Sequence, residues 1–215
     1  MNVIAISLER RKDRRQRLEK HLSELGYANV FYMPAYDGAL LPSTNITPPH
    51  RPYFSFKDEF GNPTNRINNY VIGCTLSHMA CIKMAKALNL EYVMIVEDDV
   101  ELTKGPEFIE DKVKQLPDLW GMYYLGGAVR SWIDRSHGKP GFVDGIHAYV
   151  LRNTAYDRVL RRLNMFLTST DDSFNDARLK GNDPVLAYII EPKIAFQYTN
   201  FSELDRKVVD RYDLR

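Results

Sequence analysis

Apolar positions in this chain follow two rhythms, and the change from one to the other marks out its elements. Val3-Ile4-Ala5-Ile6-Ser7-Leu8 is a nearly continuous apolar run, as expected of a strand covered on both faces. A charged stretch follows, with Leu18, Leu22 and Leu25 at helical spacing and Gly26 as a stop, so this strand leads into a helix. Val30 to Ala35 predicts a second strand, closed by the turn pair Asp37-Gly38. Gly73 to Leu90 carries Leu76, Ala80, Met84, Ala87 and Leu88 as a helical stripe, and runs into Tyr92-Val93-Met94-Ile95-Val96, which has no alternation and predicts a buried strand. Further along, the pattern predicts a helix over Phe108 to Leu116 and strands over Gly121 to Gly127 and Ile146 to Leu151. A helix over Thr154 to Leu163 follows, then a helix or strand over Val185 to Ile190.

Strands alternating with helices predict an α/β layer with a mostly parallel sheet flanked by helices. One domain is expected over residues 1–200, with a polar tail over 201–215. Leu40 to Asn69, rich in Pro, Asn and Thr, reads as a long loop, and a loop of that length in a compact domain usually serves function.

With 215 residues, 44% of them hydrophobic, the chain can bury one sizeable core. A formal charge of +1, from 29 Lys+Arg against 28 Asp+Glu, argues against a nucleic-acid or anionic-membrane partner, so any anion site is local. No apolar run is long enough to span a bilayer, and a cytoplasmic protein is expected. Cys74 and Cys81 fall on one helix about 10 Å apart along its axis, too far for a disulfide.

Glu97-Asp98-Asp99 stands directly after the buried strand. Ligands of open α/β sheets bind at the carboxyl ends of strands, and adjacent carboxylates there repel unless a cation or proton compensates them. Oxygen ligands of this kind suit Mg²⁺ or Mn²⁺. A solvated acidic turn is the plainer alternative. Arg10 and Arg14, from a basic cluster at the first helix's start, share a face near the end of the first strand and suit a diphosphate. In Ile72-Gly73-Cys74-Thr75-Leu76-Ser77-His78, Gly73 allows close approach, and Ser77 and His78 are expected in a helix's first turns, facing an anion or sugar hydroxyls. Asp171 or Asp172 suits a base that takes the proton of an acceptor hydroxyl, although a capped polar loop explains the same residues. His147 reads as a donor-site residue, a metal-shell residue or a satisfied core histidine.

Taken in order, these segments resemble glycosyltransferase family 25, which includes lipopolysaccharide and collagen galactosyltransferases. The resemblance is carried by Val3 to Arg10 with Asp13-Arg14, by Pro34 to Gly38, and by Ile72 to His78. It continues through Val93 to Val100, His147 to Val150, and Asp171-Asp172 before Phe174. It implies a single GT-A (Rossmann-like) domain, a UDP-sugar donor and a divalent cation, usually Mn²⁺, on Asp98 and Asp99. It also implies a donor pocket including Ser7, Leu8, Arg10, Arg14, Gly73, Ser77, His78, Glu97, Asp98 and His147. The activity implied is inverting transfer of a hexose, galactose or glucose, to a hydroxyl on a glycan, a lipopolysaccharide or a hydroxylysine-type side chain, with Asp172 or Asp171 as base. Ser7 stands where the family usually has Asn. A catalytically silent nucleotide-sugar or carbohydrate-binding module is the alternative. A nucleotidyltransferase would want a glycine-rich phosphate loop after the first strand, and Leu8 to Lys12 has none.

Overall fold

A computed structural model of the chain describes residues 1–42, 56–57, 63–64, 69–166, 169–180, 184–198, 200–202 and 207–209. Most of the Leu40 to Asn69 loop and most of the tail therefore lie outside the described residues. Across the expected boundary of the tail, Asn200–Ser202 pairs antiparallel with Lys207–Val209.

The first apolar run forms β1 (Val3–Ser7), buried along its whole length. α1 (Lys12–Glu24) follows, and its buried side chains Arg14, Leu18 and Leu22 recur every four residues as one stripe. β2 (Val30–Pro34) lies parallel to β1. α2 (Asn69–Ala87) is longer than the apolar stripe predicts: it begins four residues before Gly73, so Ser77 and His78 lie two turns in rather than at its N-terminus. β3 (Tyr92–Glu97) and β4 (Val100–Leu102) flank the turn at Asp98-Asp99. α3 (Pro106–Lys114), β5 (Met122–Tyr124), β6 (Ala148–Arg152) and α4 (Asn153–Leu163) come next.

α5 (Thr170–Leu179) replaces a predicted polar loop. The Ser169 hydroxyl caps it by accepting from the Asp172 N–H, and Phe174 and Ala177 bury its inner face. β7 (Ala187–Ile189) settles the ambiguous segment as a strand, and β8 (Ala195–Gln197) is a strand that the patterning did not predict.

The main sheet runs β7-β5-β6-β3-β1-β2. Three of its junctions are parallel (β1 with β2, β1 with β3, β7 with β5), while β6 runs antiparallel to both β3 and β5. Alternate residues of the buried strands feed two cores. Ile4, Ile6, Val93 and Ile95 pack with residues of α2, α4 and α5. Val3, Ala5, Met94 and Val96 pack with Leu18 and Leu22 of α1 and Ile109 and Val113 of α3. Covering both faces is what allows β1 and β3 to be wholly apolar, and it leaves their carboxyl ends as the exits for polar residues.

Candidate active site

Parallel pairing of β1 with β3 aligns Ile6 with Glu97, so Ser7, Leu8 and the acidic triplet leave the sheet at the same edge. A cleft opens there, and Ser7, Leu8, Arg14, Glu97, Asp98 and Asp99 line its sheet side. Arg14 reaches it because it occupies the core stripe of α1 one turn before Leu18. Its guanidinium Nη1 donates to Asp98 Oδ1 at 3.1 Å, both side chains being buried. Desolvation still raises the Asp98 pKa to about 6, although Arg14 opposes that rise. Burial also raises the pKa of Asp99, and the charge of Glu97 adds to it.

Gln197, at the end of β8, ties the triplet together. β8 pairs antiparallel with β4 and sets Gln197 opposite Val100. Its Nε2 donates to Glu97 Oε2 at 3.2 Å and to Asp99 Oδ1 at 3.1 Å. Its Oε1 is buried with no hydrogen-bond partner among the described residues. His147 lies behind the triplet: its backbone oxygen accepts from the Glu97 N–H, its Nε2 meets Ala195 O at 3.3 Å, and it is buried outside the cleft lining.

α2 forms the second wall. Gly73 faces the Tyr36-Asp37-Gly38 turn so closely that a Cβ there would overlap the Tyr36 carbonyl oxygen. Gly73 acts as a packing residue and leaves the lining of the cleft to Cys74, Ser77 and His78. Ser77 Oγ accepts from the Tyr36 N–H at 2.9 Å and donates to Gly73 O at 2.7 Å, so it fastens that turn to the helix. His78 Nε2 lies 3.3 Å from Glu97 Oε1, and its Nδ1 lies 2.9 Å from the Tyr149 hydroxyl. Arg10 precedes α1 and is exposed; its Nε donates to Asp37 Oδ2 at 2.6 Å, which lowers the Asp37 pKa. Arg10 and Arg14 thus serve different carboxylates, and Asp37 lines the cleft where Arg10 does not.

α5 and the Gly145 turn close the third side. Asp171 lines the cleft, and its Oδ2 accepts from the Gly145 N–H at 2.8 Å. Burial raises its pKa to about 6 against that hydrogen bond, and Glu97 contributes to the rise. Asp172 is turned back to the helix start, where its Oδ2 accepts from Ser169 Oγ at 2.7 Å, and it is absent from the lining.

Sequence reasoning missed Gln197, Tyr36, Tyr70, Asp37 and Cys74 as lining residues. Tyr36 and Asp37 fall within Pro34 to Gly38, a segment that pointed there already, while Gln197 sits beyond the last recognisable block.

Among its described residues, the cleft is lined by five carboxylates (Asp37, Glu97, Asp98, Asp99 and Asp171) and one guanidinium, Arg14. Such an excess of negative charge, with raised pKa values and the buried Gln197 Oε1 beside it, fits a divalent cation with oxygen ligands. A second donor group, Cys74, His78 and Glu97, also has ligand atoms within 4.8 Å of one another. No helix among the described residues is long and apolar enough to cross a membrane.

The sheet order and this acidic carboxyl edge define a mixed α/β protein of the GT-A type. The family model described as Glycosyltransferase family 25 (LPS biosynthesis protein) matches residues 1–197, and the chain belongs to that family. A Glycosyltransferase 25 family member of Anopheles gambiae is 28% identical over 174 residues, covering 74% of this chain and 28% of that protein. One of Drosophila pseudoobscura pseudoobscura is 30% identical over 116 residues, covering 54% and 18%. The chain thus spans less than a third of the length of the curated relatives it matches. The crystal structure of a glycosyltransferase involved in the glycosylation of the major capsid of PBCV-1 matches with a TM-score of 0.53 at 10% identity, over 95% of each chain, a likeness of fold.

Proposed function

We propose that the protein is an inverting, metal-dependent glycosyltransferase that moves a hexose, galactose or glucose, from a UDP-sugar to a hydroxyl on a glycan, lipopolysaccharide or hydroxylysine-type side chain. One observation carries this reading: the Glu97-Asp98-Asp99 edge and the Asp171 carboxylate line one cleft from different elements, the end of β3 and the start of α5. Residues 1–200 would form the catalytic domain. A nucleoside diphosphate is itself anionic, so a cleft with five carboxylates and one Arg holds it only with a compensating cation. Asp98 and Asp99 would hold that ion, Mn²⁺ or Mg²⁺, which supplies charge neutralisation of the departing diphosphate. Ser7 and Leu8 would border the donor at the end of β1, and His78 would hold Glu97 in place.

Asp171 is the better-placed base of the two neighbouring aspartates. A carboxylate with a pKa near 6 is ionised at neutral pH and still basic enough to take the proton of an attacking hydroxyl. The acceptor oxygen attacks the anomeric carbon from the face opposite the leaving UDP. Its proton passes to Asp171, and the anomeric configuration inverts. Asp172 would serve as the helix cap that sets the position of Asp171.

The deciding experiment screens a panel of UDP-hexoses with Mn²⁺, with and without glycan, lipopolysaccharide and hydroxylysine-peptide acceptors, scoring UDP release and the anomer formed. Acceptor-stimulated, chelator-sensitive release is expected from a UDP-hexose. Binding of UDP-sugars without release under any acceptor would favour the silent binding module instead.

A further inference from the structure

We propose that Cys74, His78 and Glu97 form a separate metal site selective for a borderline-soft divalent ion such as Zn²⁺, distinct from the hard-ion site on Asp98 and Asp99. Cys74 and His78 are four residues apart on α2 and project from one face towards the end of β3, where Glu97 meets them. One ligand atom from each lies within 4.8 Å of the other two. His78 Nε2 and Glu97 Oε1 are 3.3 Å apart, about the separation of two ligands each roughly 2.0–2.1 Å from a tetrahedral zinc.

The supporting contacts are those of a zinc shell. The Tyr149 hydroxyl oxygen, 2.9 Å from His78 Nδ1, can accept a hydrogen bond from Nδ1–H, the tautomer that puts the lone pair on Nε2, where an ion would bind. Tyr149 stacks on the imidazole at 5.8 Å and Phe174 meets its edge at 5.9 Å, so the ring is fixed in a buried slot. The second Glu97 oxygen accepts from Gln197 Nε2, which orients the carboxylate with Oε1 towards His78. All three ligands line the cleft, and that open side supplies a fourth position for water or ligand.

The donor chemistry separates the two sites. Thiolate and imidazole favour zinc or cobalt, whereas the all-oxygen set of Asp98 and Asp99 favours manganese or magnesium. Burial keeps the proton on Cys74, so binding breaks the S–H bond, forms a sulfur–metal bond and releases one proton to solvent. The three ligands share the cleft with Asp98 and Asp99, but metal binding is read without turnover, so failure of this site and failure of the transferase reading are distinguishable.

Cobalt is the probe. Adding Co²⁺ to the purified protein is expected to produce a thiolate-to-cobalt charge-transfer band that saturates at one equivalent and is abolished by Zn²⁺. Cys74→Ser is expected to lose the band, while Cys81→Ala and Asp99→Asn keep it. Tyr149→Phe is expected to keep it with affinity lowered about 10- to 100-fold. Absence of the band in the wild type, or its survival in Cys74→Ser, overturns the proposal. A band lost in Asp99→Asn overturns the separation of the two sites. Should Cys74→Ser fail to fold, alkylation of the wild type decides: Zn²⁺ but not Mn²⁺ should shield Cys74, and equal labelling with and without Zn²⁺ overturns the site.

Discussion

The two acidic walls of the cleft solve the same electrostatic problem differently. On the sheet side, Asp98 is buried against a fixed cation, Arg14, and Glu97 and Asp99 share the Gln197 amide. On the α5 side, the Asp171 carboxylate is bonded by the Gly145 N–H, and its neighbour Asp172 is absorbed in capping the helix. Asp98 and Asp171 nevertheless reach the same raised pKa, about 6. A paired carboxylate that remains hard to ionise is held out of water, with the charge of Asp99 adding to the cost, and in such a setting a metal ion contributes most. A raised carboxylate held by one N–H suits exchange of a proton.

The sharpest way to break this contrast is to remove one carboxylate from each wall. Asp99→Asn is expected to abolish Mn²⁺ binding and lower transfer about a thousandfold, since a Lewis acid at the leaving group contributes several kcal/mol. Manganese binding by electron paramagnetic resonance and UDP release measure both effects. Wild-type affinity in this variant would move the ion elsewhere.

On the other wall, Asp171→Asn is expected to lower kcat by about 10²- to 10⁴-fold with little change in donor KM, as loss of a general base does. Asp172→Asn is expected to cost far less. The pH dependence has a definite sign. The folded-state pKa of Asp171 is raised from 3.8 to about 6, so its ionised form is disfavoured by folding. Its contribution to stability therefore declines as pH rises from about 4 through 6 and is flat above, while activity climbs through the same window. Asp171→Asn should accordingly be more stable than wild type at pH 7.5, by about 3 kcal/mol, and equal it near pH 4. A variant with lowered stability at neutral pH would show that the carboxylate is structural.

The pairing on the sheet side predicts the opposite response. Arg14→Met strands Asp98 beside Asp99 and is expected to destabilise by about 3 kcal/mol at pH 8, with a smaller loss at pH 5, where Asp98 takes up a proton. Arg14→Met combined with Asp98→Asn should recover much of that loss in denaturant unfolding. Equal destabilisation at both pH values would mean that Arg14 contributes packing rather than charge.

How much of this was legible in the sequence differs between the same two regions. β1, α1, α2 and β3 have unbroken apolar runs or stripes because both faces of the central sheet are covered, and so the triplet at the end of β3 stood out. The antiparallel direction of β6 was invisible, because a strand buried on both sides is apolar whichever way it runs. α5 was hidden by the polar residues of its first turn: Ser169 and Asp172 serve as a cap, and only Phe174 and Ala177 mark the buried side. Arg14 was legible as a candidate, yet its partner was not, since an ion pair between residues 84 positions apart depends on the β1–β3 pairing. Gln197 depends on the β4–β8 ladder in the same way.

Gly73 tests the α2 wall, which stands between those two, where the expected effect is smallest. It carries no chemistry, yet α2 can press against the Tyr36–Gly38 turn only because position 73 lacks a Cβ. Gly73→Ala forces helix and turn apart by a fraction of an ångström, and overpacking of this kind costs about 1–3 kcal/mol. The expected readout is a melting temperature lower by roughly 2–10 °C for a chain of this size. Ser77 fastens the same turn through the Tyr36 N–H, so the shift should reach Asp37 and weaken donor binding, a KM effect with kcat nearly unchanged. The α5 wall makes no contact with this turn among the described hydrogen bonds, and the pH profile governed by Asp171 should keep its midpoint. A moved midpoint in Gly73→Ala would show that the two walls are mechanically coupled, so that the cleft responds as one unit.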